Sequence, residues 1–359
     1  MTNHRDVFLD VLRVVAAVSV LFYHVGFRGY AADGLMEHVR FDSIAPVAQY
    51  GFMGVELFFI ISGYVIFLSA DGRSAREFVL SRAIRLYPTF WICAAITIAV
   101  STISSDPKFR ASGLDVALNI PIVATWFGGH HIDGSYWSLV LEIEFYIIVA
   151  IALKIWPMQR VHYALIAWVV LGCVASLMQN KLGLPIHYPG GYYTGFFAMG
   201  AGIYLLRRND KTFGPWLLLA ISYLSALGAA YFFGKKYDAY FGSHLSFALM
   251  AVLITVFGLL VYASPSITVR SSRWTRLAVF AGGVTYPFYL LHQNISYMII
   301  NHFFSQETRW LGLATSLITA IALASGVYAF YDRPVRRVLS KLAFGTRSRT
   351  AKPETVASA

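Results

Sequence analysis

Charged residues and cysteine are both scarce in this sequence. Only 13% of its 359 residues are charged, about half the share found in soluble globular proteins. The two cysteines, Cys93 and Cys173, lie in separate apolar runs, so neither a disulfide framework nor a cysteine metal centre is indicated. With 57% hydrophobic residues, the composition also excludes a disordered chain, a coiled coil and a collagen-like fibre.

Acidic residues are fewer than basic ones, which gives the chain a formal net charge of +11. A nucleic-acid-binding protein with such a charge would cluster its lysines and arginines on a soluble face. In this sequence they lie between long apolar stretches instead. We therefore expect a lipid bilayer, and no nucleic acid, as a partner.

Apolar stretches of membrane-spanning length, about 20 residues each, are what the sequence has in abundance. Ten candidates occur at about 7–25, 52–70, 89–103, 137–155, 163–180, 192–206, 214–233, 244–262, 280–304 and 311–331. A further apolar segment at 113–128 is interrupted by Pro121 and is interpreted as interfacial or re-entrant. The predicted fold class is all-α, a polytopic transmembrane helical bundle of about ten spans.

The distribution of basic residues favours ten spans with both termini in the cytoplasm. In that topology 20 of the 29 lysines and arginines lie on the cytoplasmic side, as the positive-inside rule requires. An eleventh crossing at 113–128 would move the clusters Arg207–Lys211 and Arg270–Arg276 outside. Asp10 and Arg13 interrupt the first span, which is therefore not a cleaved signal peptide. These features predict a multi-pass protein of a bacterial inner membrane.

The end of the chain is polar and basic. We predict one membrane domain at 5–340 and a disordered cytoplasmic tail at 341–359. From Arg333 onwards apolar and basic residues alternate with helical spacing, which suits a helix on the anionic inner leaflet. A solvated tail that obeys the positive-inside rule accounts for the pattern equally well.

Seven ionisable side chains lie within the predicted spans, where charge is costly and usually marks function. They are Asp10, Arg13, His24, Glu56, Glu142, Glu144 and His292. A passive membrane anchor would not carry so many.

The first helix carries three of these side chains on one face. Arg13 and His24 are about three turns and 16 Å of rise apart, and Asp10 is three residues before Arg13. One stripe thus bears an ion pair near the cytoplasmic end and an imidazole near the outer end. Alternatively, the pair is structural, with Arg13 reaching the inner headgroups, and His24 is a satisfied interfacial histidine.

Glutamates occur near the outer ends of the second and fourth spans. Glu56 is expected at a depth similar to that of His24. In the fourth span Ser138, Glu142 and either Phe145 or Tyr146 share a face, whereas Glu144 points about 200° away from Glu142. Glu142 is therefore the better candidate for a cavity-lining carboxylate, although interfacial exposure explains either glutamate.

Two further places in the sequence are candidates for a site. In the ninth span Pro287 should kink the helix, and His292 places a polar ring at mid-depth, where interhelical hydrogen bonding is the plainer role. In the predicted inner loop 73–88, Arg82 and Arg85 lie at i and i+3 on one helical face. Planar guanidiniums suit phosphates, but the positive-inside rule alone also accounts for this pair.

A histidine and carboxylates near the outer face, with arginines at the inner face, suit either group transfer from a phosphorylated donor or transport of ions. Six motifs occur in order along the chain: Asp10-x-x-Arg13 with His24, Gly54-Val55-x-x-Phe58-Phe59-x-x-Ser62-Gly63-Tyr64, Arg82-x-x-Arg85-x-x-Pro88, Trp137-Ser138-Leu139-x-x-Glu142-x-x-Phe145-Tyr146, Tyr286-Pro287-x-Tyr289-Leu290-x-His292 and Asp332-x-Pro334. Over about residues 5–340 this ordered set resembles the acyltransferase 3 family of integral-membrane O-acyltransferases.

The resemblance implies an acyl-CoA donor on the cytoplasmic side, most simply acetyl-CoA, as a co-substrate, with no permanently bound cofactor and no metal. It implies a sugar hydroxyl of a lipopolysaccharide, an exopolysaccharide or a similar glycan as the acceptor. The implied site residues are catalytic His24, Glu142 and Arg13, donor-binding Arg82, Arg85 and Arg13, and supporting Asp10, Glu56, Ser138, Tyr286 and His292. Asp332 departs from the glutamate that many members have before x-Pro.

In the mechanism that we predict, His24 removes the proton of the sugar hydroxyl as that hydroxyl attacks the thioester. Glu142 or Glu56 would orient the imidazole, and Arg13 would guide the donor. Because His24 lies at the outer end and the donor enters from inside, a covalent acyl-histidine relay is the alternative to direct transfer. A transporter and a non-catalytic subunit of a polysaccharide export assembly are the alternative functions.

Overall fold

The computed structural model describes residues 6–31, 34–183, 187–208, 212–267 and 271–345. Of these described residues 84% are helical, and none lies in a strand. The predicted all-α fold class is therefore confirmed. Residues 346–359, which make up most of the predicted tail, lie outside the described residues.

Ten long helices follow one another along the described ranges, and each overlaps one of the ten apolar stretches of the sequence. They are α1 Val7–Tyr23, α2 Met53–Ala70, α3 Ala75–Ser104, α4 Trp137–Ile155, α5 Val161–Leu182, α6 Thr194–Arg207, α7 Phe213–Phe241, α8 Phe247–Ala263, α9 Ser272–Phe303 and α10 Arg309–Gly326. A shorter helix, α11, spans Arg333–Phe344.

Most of these helices are apolar on all sides, as bilayer-spanning helices are. Within the described residues seven of them are long and apolar enough to cross a membrane, namely α1, α2, α3, α5, α7, α8 and α10. The other three are shorter or more polar: α6 has only 14 residues, and α4 carries Glu142, Glu144 and Lys154. The protein is thus a multi-pass membrane protein.

The third helix corrects the sequence prediction, which placed an inner loop at 73–88. α3 begins at Ala75 because Ser74 and Glu77 form a capping box, in which each side chain accepts the main-chain N–H of the other. Pro88 lies inside the helix without ending it. Arg82 and Arg85 are therefore helical residues of α3.

The interrupted segment at 113–128 contains no spanning helix. A short helix at Gly113–Asn119 ends before Pro121, and a 3₁₀ turn follows at Ala124–Phe127. The side-chain amide of Asn119 donates to the carbonyl of His130, which folds the segment back on itself (2.8 Å). These elements are too short to cross a bilayer, as the sequence predicts.

Contacts between helix ends define two ends of the bundle. At one end, which we call the basic end, the hydroxyl of Ser264 after α8 donates to Asp6 before α1 (2.7 Å). At the same end Arg208 after α6 pairs with Asp71 after α2 (2.9 Å). At the opposite end the hydroxyl of Tyr237 in α7 donates to a main-chain carbonyl before α2 (3.2 Å). The start of α1 and the ends of α2, α6 and α8 therefore lie at the basic end, whereas the start of α2 and the end of α7 lie at the opposite end.

Helices α2 and α6 pack with their backbones almost in contact. A Cβ atom on Gly63 would lie 2.0 Å from the carbonyl oxygen of Phe197, and one on Gly200 would lie 1.9 Å from that of Ile60. Both positions therefore exclude any side chain larger than hydrogen, as in other close-packed membrane helices.

A buried carboxylate fixes the last helix to the bundle. Asp332 ends a π-helical segment at Val327–Asp332. Its carboxylate accepts hydrogen bonds from the hydroxyl of Thr89 in α3 and from the guanidinium of Arg336 in α11. The Asp332-x-Pro334 motif thus joins α11 to α3, and α11 continues to Phe344, beyond the predicted boundary at 340.

Candidate active site

A cavity opens between α1, α2, α3, α4 and α9, and we call it the arginine cavity. Its empty volume is about 810 Å³, including the space at its mouth. The polar residues that line it are Arg13, Ser62, Arg82, Arg85, Ser138, Glu142, Tyr146, Thr285, Tyr286 and Tyr289. Six residues that the sequence singled out therefore line one cavity. Ser138 and Glu142 were predicted at the outer side, Arg13, Arg82 and Arg85 were predicted at the inner side, and Tyr286 is the sixth.

Helix α1 supplies Arg13 through the ion pair that its spacing predicts. The guanidinium lies 2.8 Å from the carboxylate of Asp10, which is fully buried. That carboxylate packs against α9, where a Cβ atom on Gly282 would lie only 2.5 Å from it. The paired carboxylate thus holds the Arg13 guanidinium in one position at the wall of the cavity.

Helix α3 supplies Arg82 and Arg85, both half-buried and one turn apart. Beside them the hydroxyl of Tyr286 donates to the carbonyl of Leu86 (3.0 Å), which joins α9 to α3. With Arg13, three guanidiniums from two helices line the same cavity. Together they create a positive potential that attracts an anionic ligand.

Helix α4 supplies a polar face to the cavity, as the spacing of Ser138, Glu142 and Tyr146 predicts. The carboxylate of Glu142 accepts a hydrogen bond from the hydroxyl of Tyr146 (2.6 Å). The hydroxyls of Ser138 and Tyr289 are hydrogen-bonded to each other (2.8 Å). Glu142 is therefore held among the arginines.

Glu144 points to the other side of α4, where it is 3% exposed. It accepts hydrogen bonds from the indole N–H of Trp126 (3.0 Å) and the main-chain N–H of Gly190 (2.6 Å), and it lies 3.1 Å from Nε2 of His187. The carboxylate thus connects the segments before α4 and α6 to the body of α4. Of the two glutamates, Glu142 is the one that lines the arginine cavity.

His24 lies in a second group of residues, at the opposite end of α1. The helix changes there from α to π geometry over His24–Arg28, a distortion that is frequent at functional sites. Nδ1 of His24 is 3.3 Å from the hydroxyl of Tyr297 in α9. The ring of His292, also in α9, lies beside it at a centroid distance of 5.2 Å. His24 and His292 are 6% and 1% exposed, so they form a buried histidine pair.

The structure does not pair His24 with either glutamate that the sequence suggested as its partner. Among the described residues its ring is hydrogen-bonded to Tyr297. Glu142 lies in the arginine cavity, and Glu56 lines a separate small cavity with Phe196 of α6 and Phe233 of α7. The rotation of α2 turns Glu56 towards α6 and α7 rather than towards α9.

Aromatic rings cover His24 at the opposite end of the bundle. The ring of Tyr23 lies 5.1 Å from that of His24. Phe27 stacks on Tyr237 of α7 at 5.9 Å and lies 5.3 Å from Phe241. The end of α7 therefore packs on the aromatic residues next to His24, which is 6% exposed.

Tyr289 connects the two groups of residues. Its hydroxyl lines the arginine cavity, while its ring lies 5.4 Å from that of His292. Its main-chain carbonyl is 2.8 Å from Nδ1 of His292. A continuous series of contacts thus runs from the arginine cavity through Tyr289 and His292 to His24.

A carboxylate in the loop before α4 fixes α9 beside the histidine pair. Asp133 accepts hydrogen bonds from the main-chain N–H groups of Asn294 (3.0 Å) and Ser135 (2.9 Å). Burial raises the pKa of Asp133 to about 6, although these hydrogen bonds act in the other direction. The loop and α9 are thereby joined two residues beyond His292.

Three residues of this arrangement had no predicted role. Tyr289 stands in a quoted motif, but only the structure shows that it lies between the cavity and the histidines. Tyr297 lies in an apolar run and Asp133 lies in a polar loop, and both are outside the motifs. Nothing in the sequence around either residue marks it as part of a site. Their contacts join residues more than 150 positions apart, which the spacing of one helix cannot indicate.

The arrangement is suited to group transfer. The arginine cavity can hold an anionic donor with an apolar arm, because guanidiniums stand among residues such as Val55, Phe58 and Ile61. The buried imidazole of His24 can take a proton from a hydroxyl of the molecule that receives the transferred group. The described residues hold no group of three or more His, Cys, Asp or Glu side chains that could bind a metal ion.

Comparison of the sequence with known proteins assigns the chain to a family. The acyltransferase 3 family, described as an acyltransferase domain, matches residues 6–329. The O-acetyl transferase of Shigella phage Sf6 is 26% identical over 301 residues, 73% of this chain and 85% of the relative. Nodulation protein 10 of Rhizobium leguminosarum bv. viciae is 23% identical over 367 residues, 95% of this chain and 96% of the relative.

A third relative is the putative peptidoglycan O-acetyltransferase YrhL of Bacillus subtilis (strain 168). It is 26% identical over 212 residues, which are 51% of this chain and 29% of the relative. No solved structure matches the chain at a significant level.

Proposed function

The chain belongs to the acyltransferase 3 family and is an acyltransferase of groups other than aminoacyl groups, and from this we propose that it moves an acetyl group from acyl-CoA to a hydroxyl of a cell-surface or exported glycan. The observation that carries the proposal is the series of contacts from the arginine cavity to His24. It offers an anion-binding donor site and a proton acceptor within one helical bundle.

The donor side of the proposal rests on Arg13, Arg82 and Arg85. Coenzyme A carries phosphates, which planar guanidiniums bind well. Its thioester arm is uncharged and suits the apolar walls of the cavity. Because arginines gather at the basic end, we assign that end to the cytoplasm of a bacterial inner membrane, where acyl-CoA is made.

The acceptor side rests on His24 and on the names of the relatives. Relatives are named as O-acetyltransferases of peptidoglycan and as an exopolysaccharide production protein, and both polymers carry sugar hydroxyls. Such a hydroxyl is a weak nucleophile until a base removes its proton. Tyr297, at 3.3 Å from Nδ1 of His24, holds the imidazole in place for this step.

In direct transfer the hydroxyl oxygen forms a bond to the thioester carbon, and the carbon–sulfur bond breaks. The hydroxyl proton passes to His24 and then to the coenzyme A thiolate, so that the products are the ester and free coenzyme A. Glu142 and Arg13 position the donor in the arginine cavity. In the relay alternative a ring nitrogen of His24 attacks the thioester carbon, and the carbon–sulfur bond breaks to release the thiolate. The acceptor hydroxyl then attacks the acyl group on His24, the carbon–nitrogen bond breaks, and the hydroxyl proton passes to the thiolate.

Glycan mass spectrometry on a host that lacks the gene tests the proposal. The deletion should remove a fixed acyl mass from the glycan, and the wild-type gene should restore it. We expect His24→Ala to restore none of it, because no other described side chain replaces the imidazole beside Tyr297. His162→Ala is the matched control, since His162 is a buried histidine of α5 remote from the site.

Two results would contradict the proposal. A glycan unchanged by the deletion would exclude glycan acylation in that host. Full acylation with His24→Ala, at a membrane level equal to that of the control, would remove His24 from the mechanism.

A further inference from the structure

The second histidine of the buried pair has an unusual set of hydrogen bonds. Nδ1 of His292 is 2.8 Å from the carbonyl oxygen of Tyr289. A carbonyl can only accept, so Nδ1 carries a proton. A neutral ring held in this way presents Nε2 as a bare acceptor.

That acceptor has no hydrogen-bond partner among the described residues, although it is buried. Buried polar atoms are nearly always hydrogen-bonded, and an exception in a native structure calls for an explanation, of which a catalytic role is one. The ring is also held firmly, since Phe288 stacks on it with an interplanar angle of 8°. The unsatisfied nitrogen is therefore held in a fixed place.

His24 is the neighbour that can supply the missing partner. The two ring centroids are 5.2 Å apart with an interplanar angle of 55°. Two imidazoles joined by an N–H···N hydrogen bond have centroids about 5 Å apart, given the usual donor–acceptor distance. The two rings therefore have the separation of a hydrogen-bonded imidazole pair.

His24 needs a second hydrogen-bond acceptor only during the reaction. Neutral His24 has one N–H group, which Tyr297 can accept. When His24 takes a proton it has two N–H groups and a positive charge in an apolar part of the bundle, where an unpaired charge is costly.

We propose that His292 is a positioning residue whose Nε2 accepts an N–H of protonated His24 and so stabilises the imidazolium. The proposal rests on the proposed function. The proton comes from the acceptor hydroxyl, stays on His24 while shared towards His292, and leaves to the thiolate as the carbon–sulfur bond breaks. His292 keeps its own proton on Nδ1 throughout, so it acts as an acceptor and not as a second base.

Two substitutions separate this role from simple packing. His292→Phe keeps an aromatic ring next to Phe288 but removes both nitrogens. His292→Gln keeps an acceptor oxygen that reaches about as far as Nε2, and an amide N–H for the carbonyl of Tyr289. His162→Phe and His162→Gln are the matched controls, because His162 is also buried, with an unpartnered Nδ1.

The experiment uses the full chain in lipid nanodiscs, radiolabelled acetyl-CoA and glycan extracted from the host that lacks the gene. We expect His292→Phe to lower kcat about 10- to 100-fold, with the KM for acetyl-CoA within about twofold of wild type, because the arginine cavity is unchanged. His292→Gln should recover most of the lost kcat. Both control variants should match wild type.

Folding is checked on every variant, in a Cys173→Ser background because Cys173 is partly exposed, through Cys93, which is fully buried and should react with a thiol dye only on unfolding. A wild-type kcat in His292→Phe would overturn the inference while leaving the proposed function intact. An equal loss in His292→Phe and His292→Gln, with native Cys93 protection, would overturn it as well. Absence of transfer by the wild type would overturn the proposed function and the inference with it.

Discussion

Two glutamates two positions apart on α4 have opposite surroundings. Glu142 is half-buried in the arginine cavity with Tyr146 as its hydrogen-bond partner. Glu144 is buried among Trp126, Gly190 and His187 on the other face. The 100° of rotation per helical residue is enough to separate them, which is why the sequence alone favours Glu142 as the cavity residue.

Substitution of each glutamate by glutamine should therefore affect different properties. Glu142→Gln removes a charge among three guanidiniums, and we expect acyl transfer to fall about tenfold or more with little change in thermal stability. Glu144→Gln replaces an acceptor of two N–H groups by an amide with one acceptor, and should cost about 1–3 kcal/mol of stability. Thermal unfolding and acetyl-CoA turnover of both variants check this.

The reverse pattern, an inactive but stable Glu144→Gln and an active but unstable Glu142→Gln, would exclude this assignment. Glu37→Gln serves as a control for the substitution itself. Glu37 is a surface residue whose pKa is lowered by its hydrogen bond to Lys108. Its substitution should change neither thermal stability nor acetyl-CoA turnover strongly.

Residue roles could be predicted only along single helices. The Asp10–Arg13 pair and the Ser138–Glu142–Tyr146 face follow from helical spacing, and the structure contains both. The contact of His24 with Tyr297 depends on how α1 and α9 are set against each other. No periodicity within either helix contains that information, so the sequence pointed to glutamates instead.

The contact of α2 with α6 is the closest approach of two helices described here, and it is made by glycine on both sides. Gly63→Ala or Gly200→Ala should force the helices apart, because each new methyl group would overlap a main-chain carbonyl oxygen. We expect a loss of about 1–3 kcal/mol, the usual range for overpacking. Since α2 carries Phe58 and Ser62 of the arginine cavity, turnover should fall too.

Gly228→Ala in α7 is the matched control. A Cβ atom at Gly228 meets nothing within 4 Å, and alanine is favoured over glycine in a helix by about 0.5–1 kcal/mol. Its melting temperature should be equal to or above that of wild type. A melting temperature of Gly63→Ala equal to that of this control would mean that α2 and α6 are not in such close contact.

Helix positions were predictable, and some helix ends were not. α4 begins and ends where its apolar run does, at Trp137 and Ile155. α3 begins 14 residues before its apolar run, because the Ser74 capping box starts the helix in a basic segment that hydropathy does not mark. Capping chemistry, which acts at one or two residues, sets such ends and is invisible to an average over a span.

The two ends of the whole molecule differ in charge, and this difference sets its predicted orientation. Arg208 lies at the basic end beside Asp71, Arg73 and Arg76 flank the start of α3, which follows Asp71, and Arg273 and Arg276 lie at the start of α9. Positive charge is retained on the cytoplasmic side of membranes. We therefore predict that the basic end faces the cytoplasm.

Single cysteines at exposed positions test this orientation in intact cells. Ser340→Cys in α11 should resist a membrane-impermeant maleimide until the cells are opened, whereas Glu307→Cys before α10 should react at once. Both variants are made in a Cys173→Ser background, because Cys173 is partly exposed, and that background alone serves as the blank since Cys93 is buried. Labelling of Ser340→Cys in intact cells would reverse the orientation and with it the side from which the donor enters.

The aromatic cover over His24 also bears on the choice between transfer and hydrolysis. Water is a competitor for every activated acyl group, and it is always more abundant than a sugar. His24, the proposed base, is 6% exposed and lies beside Tyr23, which packs on Tyr237 of α7, so it meets few water molecules that it could activate. In the proposed reaction, an acceptor that displaced those rings on entry would bring its own hydroxyl to His24 while water stayed outside. Acyl groups would then be transferred to glycan rather than hydrolysed.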